Sequence, residues 1–430
     1  IFSKESNRRL YRAILESRFM TKVVVISFTF PPQMGIGGRR WAKFVKYFSR
    51  QGLDVRVFST PISREGSPWL KDIPENLQVS RFETKYPDII RFGPSTIWGK
   101  FKYRFELLGL KLKTRGNYFD HSMFWDKQFL PNLEQELVDV GVLIATSGPF
   151  SYLHSLLSLK LKYPNLKLVV DFRDPWTNNK TAYGFDQLAP RRLAFEKKME
   201  KEVIEGFDLI VSVAQPMTDY FKLISRGNVQ EKFVTLLNGY DPDDRVELNA
   251  KSVGSEKVKI CFVGTLYGLT YDSVNTLVTV LKKYQNEIEV TFCGDMNRDS
   301  QKELSAAENV KLLGRVSGKK AKQIIASSDI GLLILTSDLT YSFSTKFCEY
   351  VQMSKPIWII SEDGSTPEFI LDNNIGYHSL PNARSISDTI QSFLSNEILG
   401  LYDQFDYRKF NLEEISNEYI SHIEALTKDE

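Results

Sequence analysis

Short runs of apolar, mostly β-branched residues alternate along this chain with segments of helical spacing. The first run occupies residues 23–28, a turn rich in glycine and proline follows at 31–38, and a helix-spaced segment at 39–50 leads to a second apolar run that begins at Val55. Continuous apolar runs of this length are typical of strands buried on both faces, as in parallel sheets that helices cover on either side. The alternation therefore predicts an α/β fold built on parallel sheets.

The alternation occurs in two blocks, which a polar segment at residues 241–257 separates. That segment is acidic at first and then rich in Lys, Ser and Gly, a composition typical of linkers. We predict two doubly wound Rossmann-like domains, residues 20–240 and 258–400, that face each other across a cleft. A C-terminal helix within 401–430 is expected to pack back on the first domain. Because ligands bind at the carboxyl ends of the strands in such sheets, the loops after the strands are the candidate functional segments.

The first residues stand apart from this pattern. The sequence begins with Ile1, and Met20 directly precedes the first predicted strand. We interpret residues 1–19 as an N-terminal extension, with Met20 as the natural start or the segment as an upstream addition. The alternative is a basic amphipathic helix on a membrane, since arginines such as Arg8 and Arg9 stand among apolar residues.

Charge and cysteine content exclude several classes of protein. The 56 Lys and Arg residues against 53 Asp and Glu give a net charge of +3, which does not indicate a nucleic-acid partner. Cys261, Cys293 and Cys348 are far apart and odd in number, so the sequence predicts a reducing compartment, the cytoplasm, without a disulfide framework. The four histidines are scattered and form no zinc signature. No apolar run reaches the roughly 18 residues that a span of the bilayer needs.

Short motifs recur in a fixed order along the two predicted domains. The first domain carries Phe30-Pro31-Pro32 with Gly37-Gly38-Arg39-Arg40, then Ser147-Gly148-Pro149-Phe150, Asp171-Phe172-Arg173-Asp174-Pro175-Trp176 and Asn238-Gly239-Tyr240-Asp241. The second carries Phe262-Val263-Gly264-Thr265-Leu266, Ser344-Thr345-Lys346-Phe347-Cys348-Glu349-Tyr350 and Lys355-Pro356-Ile357. From about residue 22 to residue 370 this series resembles the landmarks of family-four retaining glycosyltransferases with the GT-B fold.

The resemblance implies transfer of a sugar from a UDP- or GDP-sugar to a glycan, in polysaccharide, lipopolysaccharide or lipid-linked oligosaccharide synthesis. Retention at the anomeric carbon is the expected outcome, and no cofactor or metal is expected. A metal-free site has to neutralise the leaving diphosphate with backbone amides, a helix N-terminus and basic side chains. The resemblance also implies that the leaving phosphate helps to deprotonate the acceptor, so no catalytic base is nominated.

One departure from the family pattern keeps two other functions open. Many members carry two glutamates with seven residues between them, and Glu349 matches the second of these. Tyr341 stands where the first would fall, which puts a donor-sugar contact in doubt. The alternatives are a nucleotide-sugar epimerase of the same fold and a nucleotide-binding scaffold without catalysis.

The donor-binding candidates lie in the second predicted domain. Ser344 and Thr345 begin a predicted helix whose amides would contact the diphosphate, and Lys346 would add a cation. Glu349, one turn further, would accept hydrogen bonds from ribose hydroxyls. The alternatives are an ordinarily capped helix and an ion pair between Lys346 and Glu349 three residues apart.

Two strand ends complete the donor candidates. Gly264 and Thr265 end a predicted strand, where glycine permits a phosphate to approach the backbone closely, or forms only a tight turn. Gly314, Arg315 and Val316 follow another strand, and their backbone would contact the edge of the nucleobase, or again form only a turn.

The first predicted domain carries candidates for the acceptor side. Gly37 and Gly38 would let their loop approach the diphosphate or the acceptor. Arg40 either reaches a phosphate across the cleft or is a surface residue of its helix. Arg173 and Asp174 follow an apolar strand and are predicted to take part in catalysis, with a structural Arg–Asp network as the alternative.

Three further residues are predicted to line the cleft. Trp176 either stacks on a sugar ring or packs beneath its loop. His154 either donates a hydrogen bond to a sugar or is a structural residue of its helix. Asn238 precedes the predicted crossing between the domains.

Residues 98–115 combine basic and apolar side chains at high density. Six Lys or Arg residues accompany a single acid, Glu106, and Trp, Phe, Tyr and Leu interleave with them. This composition predicts docking on an anionic membrane surface at the inner face of the cell membrane, near a lipid-linked acceptor. The alternative is a partly buried helical hairpin with a solvated basic face.

Overall fold

A computed structural model describes residues 22–62, 65–179, 184–225, 230–245, 257–266, 270–339, 341–395 and 405–428. The predicted extension at 1–19 and most of the predicted linker lie outside these described residues. The chain divides into two compact units. The N-terminal unit comprises the described residues up to Val213, Met217–Leu236 and those from Ser416 on. The C-terminal unit comprises Ala214–Pro216 and Leu237–Ile415.

Seven described strands form a parallel sheet in the N-terminal unit. They are β1 (Lys22–Ile26), β2 (Asp54–Ser59), β3 (Gln78–Arg81), β4 (Val142–Thr146), β5 (Lys167–Phe172), β6 (Leu209–Ser212) and β7 (Phe233–Thr235). Their order is β3-β2-β1-β4-β5-β6-β7, and every neighbouring pair is parallel. The connections change direction between β1 and β4, so the loops after these two strands flank the switch point of the sheet.

The same architecture recurs in the C-terminal unit with six described strands. They are β8 (Val258–Val263), β9 (Ile288–Cys293), β10 (Val310–Gly314), β11 (Ile330–Ile334), β12 (Ile357–Ile360) and β13 (Gly376–Ser379). Their order is β10-β9-β8-β11-β12-β13, again with parallel neighbours. Here the switch point lies between β8 and β11.

Helices connect the strands. In chain order they are α1 (Arg39–Arg50), α2 (Asp88–Phe92), α3 (Ile97–Lys113), α4 (Asp126–Glu136), α5 (Leu157–Lys162), α6 (Pro190–Gly206), α7 (Gln215–Ile224), α8 (Tyr271–Leu281), α9 (Arg298–Leu304), α10 (Gly318–Ser327), α11 (Thr345–Gln352), α12 (Ser365–Asp372), α13 (Ala383–Ser395) and α14 (Leu412–Lys428). Among the described helices, none combines the length and the apolarity that crossing a bilayer requires.

The central strands are buried on both faces, as their sequences predict. Val23, Val25 and Ile26 of β1 have no exposed surface, and β4 is buried throughout. In the N-terminal unit, Tyr419 of α14 packs edge-on against Trp41, Phe44 and Phe48 of α1, with ring centroids 5.4–5.8 Å apart. This aromatic cluster attaches the C-terminal end of the chain to the first helix of the unit.

The prediction of two doubly wound α/β domains is confirmed, with differences in detail. Strands β3 and β13 were not predicted, because these edge strands are polar and only partly buried. The basic segment at 98–115 forms one helix, α3, so the helical-hairpin alternative is wrong.

Candidate functional site

Glycines occupy the carboxyl ends of three neighbouring strands in the C-terminal unit. Gly264 follows β8, Gly294 follows β9 and Gly314 ends β10. The Gly264 amide donates to Cys293 O at 2.9 Å, and the Gly294 amide donates to Gly314 O at 2.8 Å. A Cβ atom at Gly294, whose φ is 131°, would lie 1.7 Å from Gly264 O. This edge of the sheet is therefore bare backbone that admits no side chain at Gly294.

Helix α11 begins beside this edge, because it follows β11 at the switch point. The Ser344 hydroxyl accepts a hydrogen bond from the Phe347 amide at 3.1 Å and caps the helix. The Ser344 side chain therefore acts as a helix cap, which is one of the two roles that the sequence left open. The first amides of a helix have no partner within it, so those of Thr345 and Lys346 belong to a terminus that carries partial positive charge.

Lys346 and Glu349 form an ion pair one turn into α11. Lys346 Nζ lies 2.8 Å from Glu349 Oε2, and the two side chains are 30% and 13% exposed. The Lys346 side chain also reaches the end of β8, since its Cγ would lie 4.0 Å from a Cβ atom at Gly264. The structure therefore brings together the three residues that the sequence singled out on two separate segments.

The remaining donor candidates lie further along the same edge. Arg315 forms an ion pair with Asp295, which sequence reasoning missed, and both side chains are largely exposed. Thr265 is exposed, and Val316 packs partly against the core of the unit. Only the backbone of this segment remains a candidate for contact with a nucleobase, because the Arg315 side chain has an acidic partner.

Asn238 is held against the segment that precedes α11. Its side-chain Nδ2 donates to Phe343 O at 3.1 Å, and its backbone carbonyl oxygen accepts from Cys348 Sγ at 3.3 Å. Asn238 therefore clusters with the C-terminal unit and fixes the approach to α11. Tyr341, which stands in place of an acidic residue, lies on the same segment and is partly buried.

In the N-terminal unit, the loops after β1, β4 and β5 meet around one arginine. The Arg173 amide donates to Ser147 Oγ at 3.1 Å, and its guanidinium donates to Gly148 O at 3.3 Å. Arg173 Nε lies 3.1 Å from Asp174 Oδ2, with both side chains partly exposed. A Cβ atom at Gly37 would lie 2.8 Å from Arg173 Nη1, so the glycine makes room for the guanidinium. The predicted pair is thus an Arg–Asp network at the switch point of the sheet.

The structure contradicts both interpretations of Arg40 that were drawn from the sequence. Arg40 is neither a surface residue nor placed to reach a phosphate, because it is 5% exposed and its Nε lies 3.0 Å from the buried Asp171. Its Nη2 donates to Leu236 O at 2.9 Å. Gly38 is buried as well, and a Cβ atom there would lie 3.1 Å from Thr29 O. Both residues are parts of the packing that supports the loop after β1.

Trp176 and His154 also have protein partners. Trp176 has no exposed surface and stacks on Phe150 with ring centroids 5.4 Å apart, so the structure favours packing beneath the loop over stacking on a sugar. His154 Nε2 lies 2.7 Å from Glu202 Oε2 at the surface of the unit. The hydrogen bond from His154 lowers the pKa of the Glu202 carboxyl.

Three buried acids that sequence reasoning missed, Asp120, Glu196 and Glu200, hold these N-terminal loops in place. Asp120 accepts hydrogen bonds from the amides of Phe150 and Ser151 at 2.9 and 2.8 Å. Glu196 of α6 accepts from Trp176 Nε1 at 3.2 Å. Each of these acids therefore binds the backbone or the side chain of a loop that follows β4 or β5.

Glu196 has two further donors around it. Asn117 Nδ2 donates to its Oε1 at 2.6 Å, and Arg192 Nε donates to the same oxygen at 2.9 Å. The carboxylate has no exposed surface, so it depends on these contacts to compensate its charge. In the sequence, Arg192 and Glu196 form a pair four residues apart that is typical of an exposed helix face, which concealed this role.

Glu200 is one turn further along α6. It accepts hydrogen bonds from the Thr177 amide and hydroxyl, and from the Tyr220 hydroxyl at 3.2 Å. Burial raises the pKa of its carboxyl to about 7. The loop that carries Arg173 and Asp174 thus rests on two buried glutamates.

Comparisons with known proteins agree with this arrangement. The family described as glycosyl transferases group 1 matches residues 244–411. A search of curated protein sequences finds no match to this chain.

Among solved structures, similarity extends over nearly the whole chain. HepE from Anabaena, in complex with UDP and glucose, is 12% identical with a TM-score of 0.61 and covers 94% of this chain and 100% of its own. A glycosyltransferase from Rickettsia africae is 16% identical with a TM-score of 0.62, covering 95% and 99%. Sucrose-phosphate synthase from Thermosynechococcus elongatus is 13% identical with a TM-score of 0.62, covering 94% and 99%.

Two parallel, doubly wound units with these topologies define the GT-B fold. The match of the C-terminal unit to the group 1 family, together with this fold, identifies the protein as a glycosyltransferase. Membership of family four and retention of configuration stay predictions.

Proposed function

We propose that this glycosyltransferase moves a sugar from a UDP- or GDP-sugar to a glycan acceptor with retention of configuration. The observation that supports the proposal is the convergence at the switch point of the C-terminal sheet. Lys346 and Glu349 of the capped helix α11 lie there beside Gly264, on elements far apart in sequence. Switch points are where doubly wound sheets bind nucleotides.

The positive end of α11 suits a leaving diphosphate. Negative charge develops on the diphosphate as the glycosidic bond breaks, and the helix N-terminus and Lys346 would stabilise it. The glycine edge formed by Gly264 and Gly294 permits phosphate oxygens to approach the backbone. In this proposal no metal is needed, so excess EDTA is expected to leave the transfer rate unchanged.

In this proposal Glu349 binds the ribose. Its carboxylate is 13% exposed and is oriented by Lys346, so ribose hydroxyls would donate to the oxygen that Lys346 leaves accessible. The backbone from Gly314 to Val316 would contact the nucleobase. HepE, which has the same fold, was solved with UDP and glucose, which supports a donor of this class here.

In the N-terminal unit, we assign the acceptor side to the loops around Arg173. Gly37 makes room for the guanidinium while Asp174 fixes its orientation, so Arg173 would donate hydrogen bonds to acceptor hydroxyls and Asp174 would accept them. In this scheme the acceptor proton would pass to the leaving phosphate. No covalent intermediate would form, so no carboxylate nucleophile is needed. The three cysteines are buried and form no disulfide with one another, which supports the proposal of a cytoplasmic location.

Incubation with a panel of UDP- and GDP-sugars and glycan acceptors, with products identified by mass spectrometry, tests the proposal. Transfer is expected with at least one donor, and Lys346→Met is expected to lower kcat by about 10²–10³-fold, as removal of a charge-stabilising group does. Lys311→Met, which breaks an exposed ion pair with Glu289 in the same unit, is the matched control and should leave kcat unchanged.

The two alternative functions would give different results with the same panel of donors. Interconversion of a donor without any acceptor, seen by NMR of the sugar nucleotide, would indicate an epimerase. Nucleotide binding without turnover of any donor would indicate a scaffold, and would contradict the proposal.

A further inference from the structure

Helix α3 presents a second apolar face to solvent. Six of its large apolar side chains are 59–83% exposed, although apolar residues of this size are usually buried. They are Ile97, Trp98, Phe101, Phe105, Leu108 and Leu112. We call these six residues the α3 ridge.

The α3 ridge is a continuous stripe. At about 100° per residue, its six members fall within a sector about 100° wide along the whole helix. Leu110, Tyr103 and Leu107, which are buried or half-buried, lie on the opposite side of the helix. Inward packing therefore uses one face of α3 and leaves the ridge fully outside the core.

Basic residues flank the ridge on both sides. By the same helical spacing, Lys100, Arg104 and Lys111 lie along one flank, and Lys102 and Lys113 lie along the other. Glu106 is the acid within the helix, and it is half-buried on the side away from the ridge. An apolar stripe between two rows of cations is typical of helices that lie in the plane of a membrane interface.

We propose that the α3 ridge docks the protein on an anionic bilayer surface. The aromatic and aliphatic side chains would enter the boundary between headgroups and acyl chains, while the flanking lysines and arginine contact anionic headgroups. A second copy of the chain is a poorer occupant, because it would bring the same cations together around one interface. The inference goes beyond the sugar-transfer reaction and does not depend on it.

Co-sedimentation of the full chain with vesicles tests this inference. Binding is expected to vesicles of phosphatidylcholine mixed with phosphatidylglycerol, and to be much weaker with phosphatidylcholine alone. Reversing three flanking charges, with Lys100→Glu, Arg104→Glu and Lys111→Glu, is expected to weaken binding at least about a hundredfold. Replacing Trp98, Phe101 and Phe105 with Ser should abolish it.

A matched control uses exposed apolar residues elsewhere in the N-terminal unit. Val138, Leu161 and Leu223 are 79–88% exposed, so their joint replacement with Ser removes comparable apolar surface away from the ridge. This variant should bind vesicles as the unaltered protein does. Far-UV circular dichroism of every variant verifies that it folds.

Tryptophan fluorescence adds a local readout. Trp98 is 83% exposed, whereas Trp69 is only partly exposed and the other four tryptophans are buried. Its emission should shift to the blue when anionic vesicles are added, and Trp98→Phe should lose the shift while it still sediments with them. Absence of binding to anionic vesicles would overturn the inference. So would binding that the ridge variants leave intact, or a ridge-dependent dimer in solution that does not bind vesicles.

Discussion

The carboxyl ends of the two sheets are built in opposite ways. In the N-terminal unit, side chains fix the loops, since Asp120, Glu196 and Glu200 are buried and accept hydrogen bonds from the segments after β4 and β5. In the C-terminal unit, backbone meets backbone, and Gly264 and Gly294 approach so closely that no side chain fits between them. Buried carboxyl groups therefore position the loops of the first edge, whereas the second edge depends on close backbone packing at glycines.

This difference in construction predicts that mutations at the two edges affect stability and ligand binding differently. A loop that rests on buried carboxylates ties its position to the folding free energy of the unit, because an unpaired partner in the core is costly. An edge without side chains leaves room for a ligand beside the backbone and beside a helix terminus. We therefore expect mutations at the first edge to act mainly on stability, and mutations at the second edge to lower nucleotide binding as well as stability.

The largest effect is expected from Glu196→Ala. The change leaves Arg192, Asn117 and Trp176 without their buried acceptor, which should lower the free energy of unfolding by about 3–5 kcal/mol. Urea denaturation measures it. Glu202→Ala on the same helix removes an exposed partner of His154 and should cost less than about 1 kcal/mol. Equal losses in the two variants would contradict the comparison.

Gly294→Ala tests the backbone edge. The new Cβ would overlap Gly264 O, so the strand ends must separate, at a cost of about 3 kcal/mol in unfolding free energy. Nucleotide affinity, measured by calorimetry, should fall as well. Gly318→Ala on α10 is the control, because a Cβ atom there meets nothing within 4 Å, and it should leave both quantities nearly unchanged. A tolerated Gly294→Ala would show that the edge does not depend on this glycine.

Glu200 makes the stability of the N-terminal unit depend on pH. Its folded-state pKa of about 7 lies above the ordinary value of 4.5, so between these values the folded protein retains a proton that the unfolded chain releases. Its contribution to stability is therefore lost as pH rises from about 4.5 to about 7, on the order of 3 kcal/mol. Unfolding by urea at several pH values should show that Glu200→Gln removes this part of the slope. A slope identical in both proteins would assign the dependence to other groups.

The smallest effect is expected from the two serine caps of the C-terminal unit. Ser344 caps α11 and Ser317 caps α10 in the same way, so replacing either with Ala should cost about 1 kcal/mol of unfolding free energy. Steady-state kinetics should separate them, since we expect only Ser344→Ala to raise KM for the donor. An equal rise in both variants would remove the special role of α11.

Much of the fold follows from local sequence. The runs that form β1 and β4 are apolar throughout, and a strand buried on both faces has no other composition. The polar edge strands β3 and β13 carry no such signal, because half of their surroundings is solvent. The donor candidates Gly264, Ser344 and Lys346 follow predicted strands or begin a predicted helix, which is why spacing and resemblance find them.

The sequence did not predict the roles of residues whose partners are distant in the chain. The sequence predicts Arg40 to be a surface or phosphate-binding cation, whereas in the structure it is buried and pairs with Asp171 on another element. Glu196 and Glu200 have the spacing of an exposed helix face, yet both are buried under the loop after β5. Burial depends on the folded structure, and the same residue types at the same spacing occur on exposed and on buried helix faces.

The sequence by itself determined the alternation of strands and helices, the two parallel sheets and the positions of the loops at their carboxyl ends. It did so because hydrophobic periodicity and glycine placement are local properties of the chain. Only the tertiary structure decided which charged side chains are paired and buried, that α3 exposes its apolar ridge, and that Lys346 meets Gly264. These depend on contacts between segments far apart in sequence, and no local pattern encodes their distance or their burial.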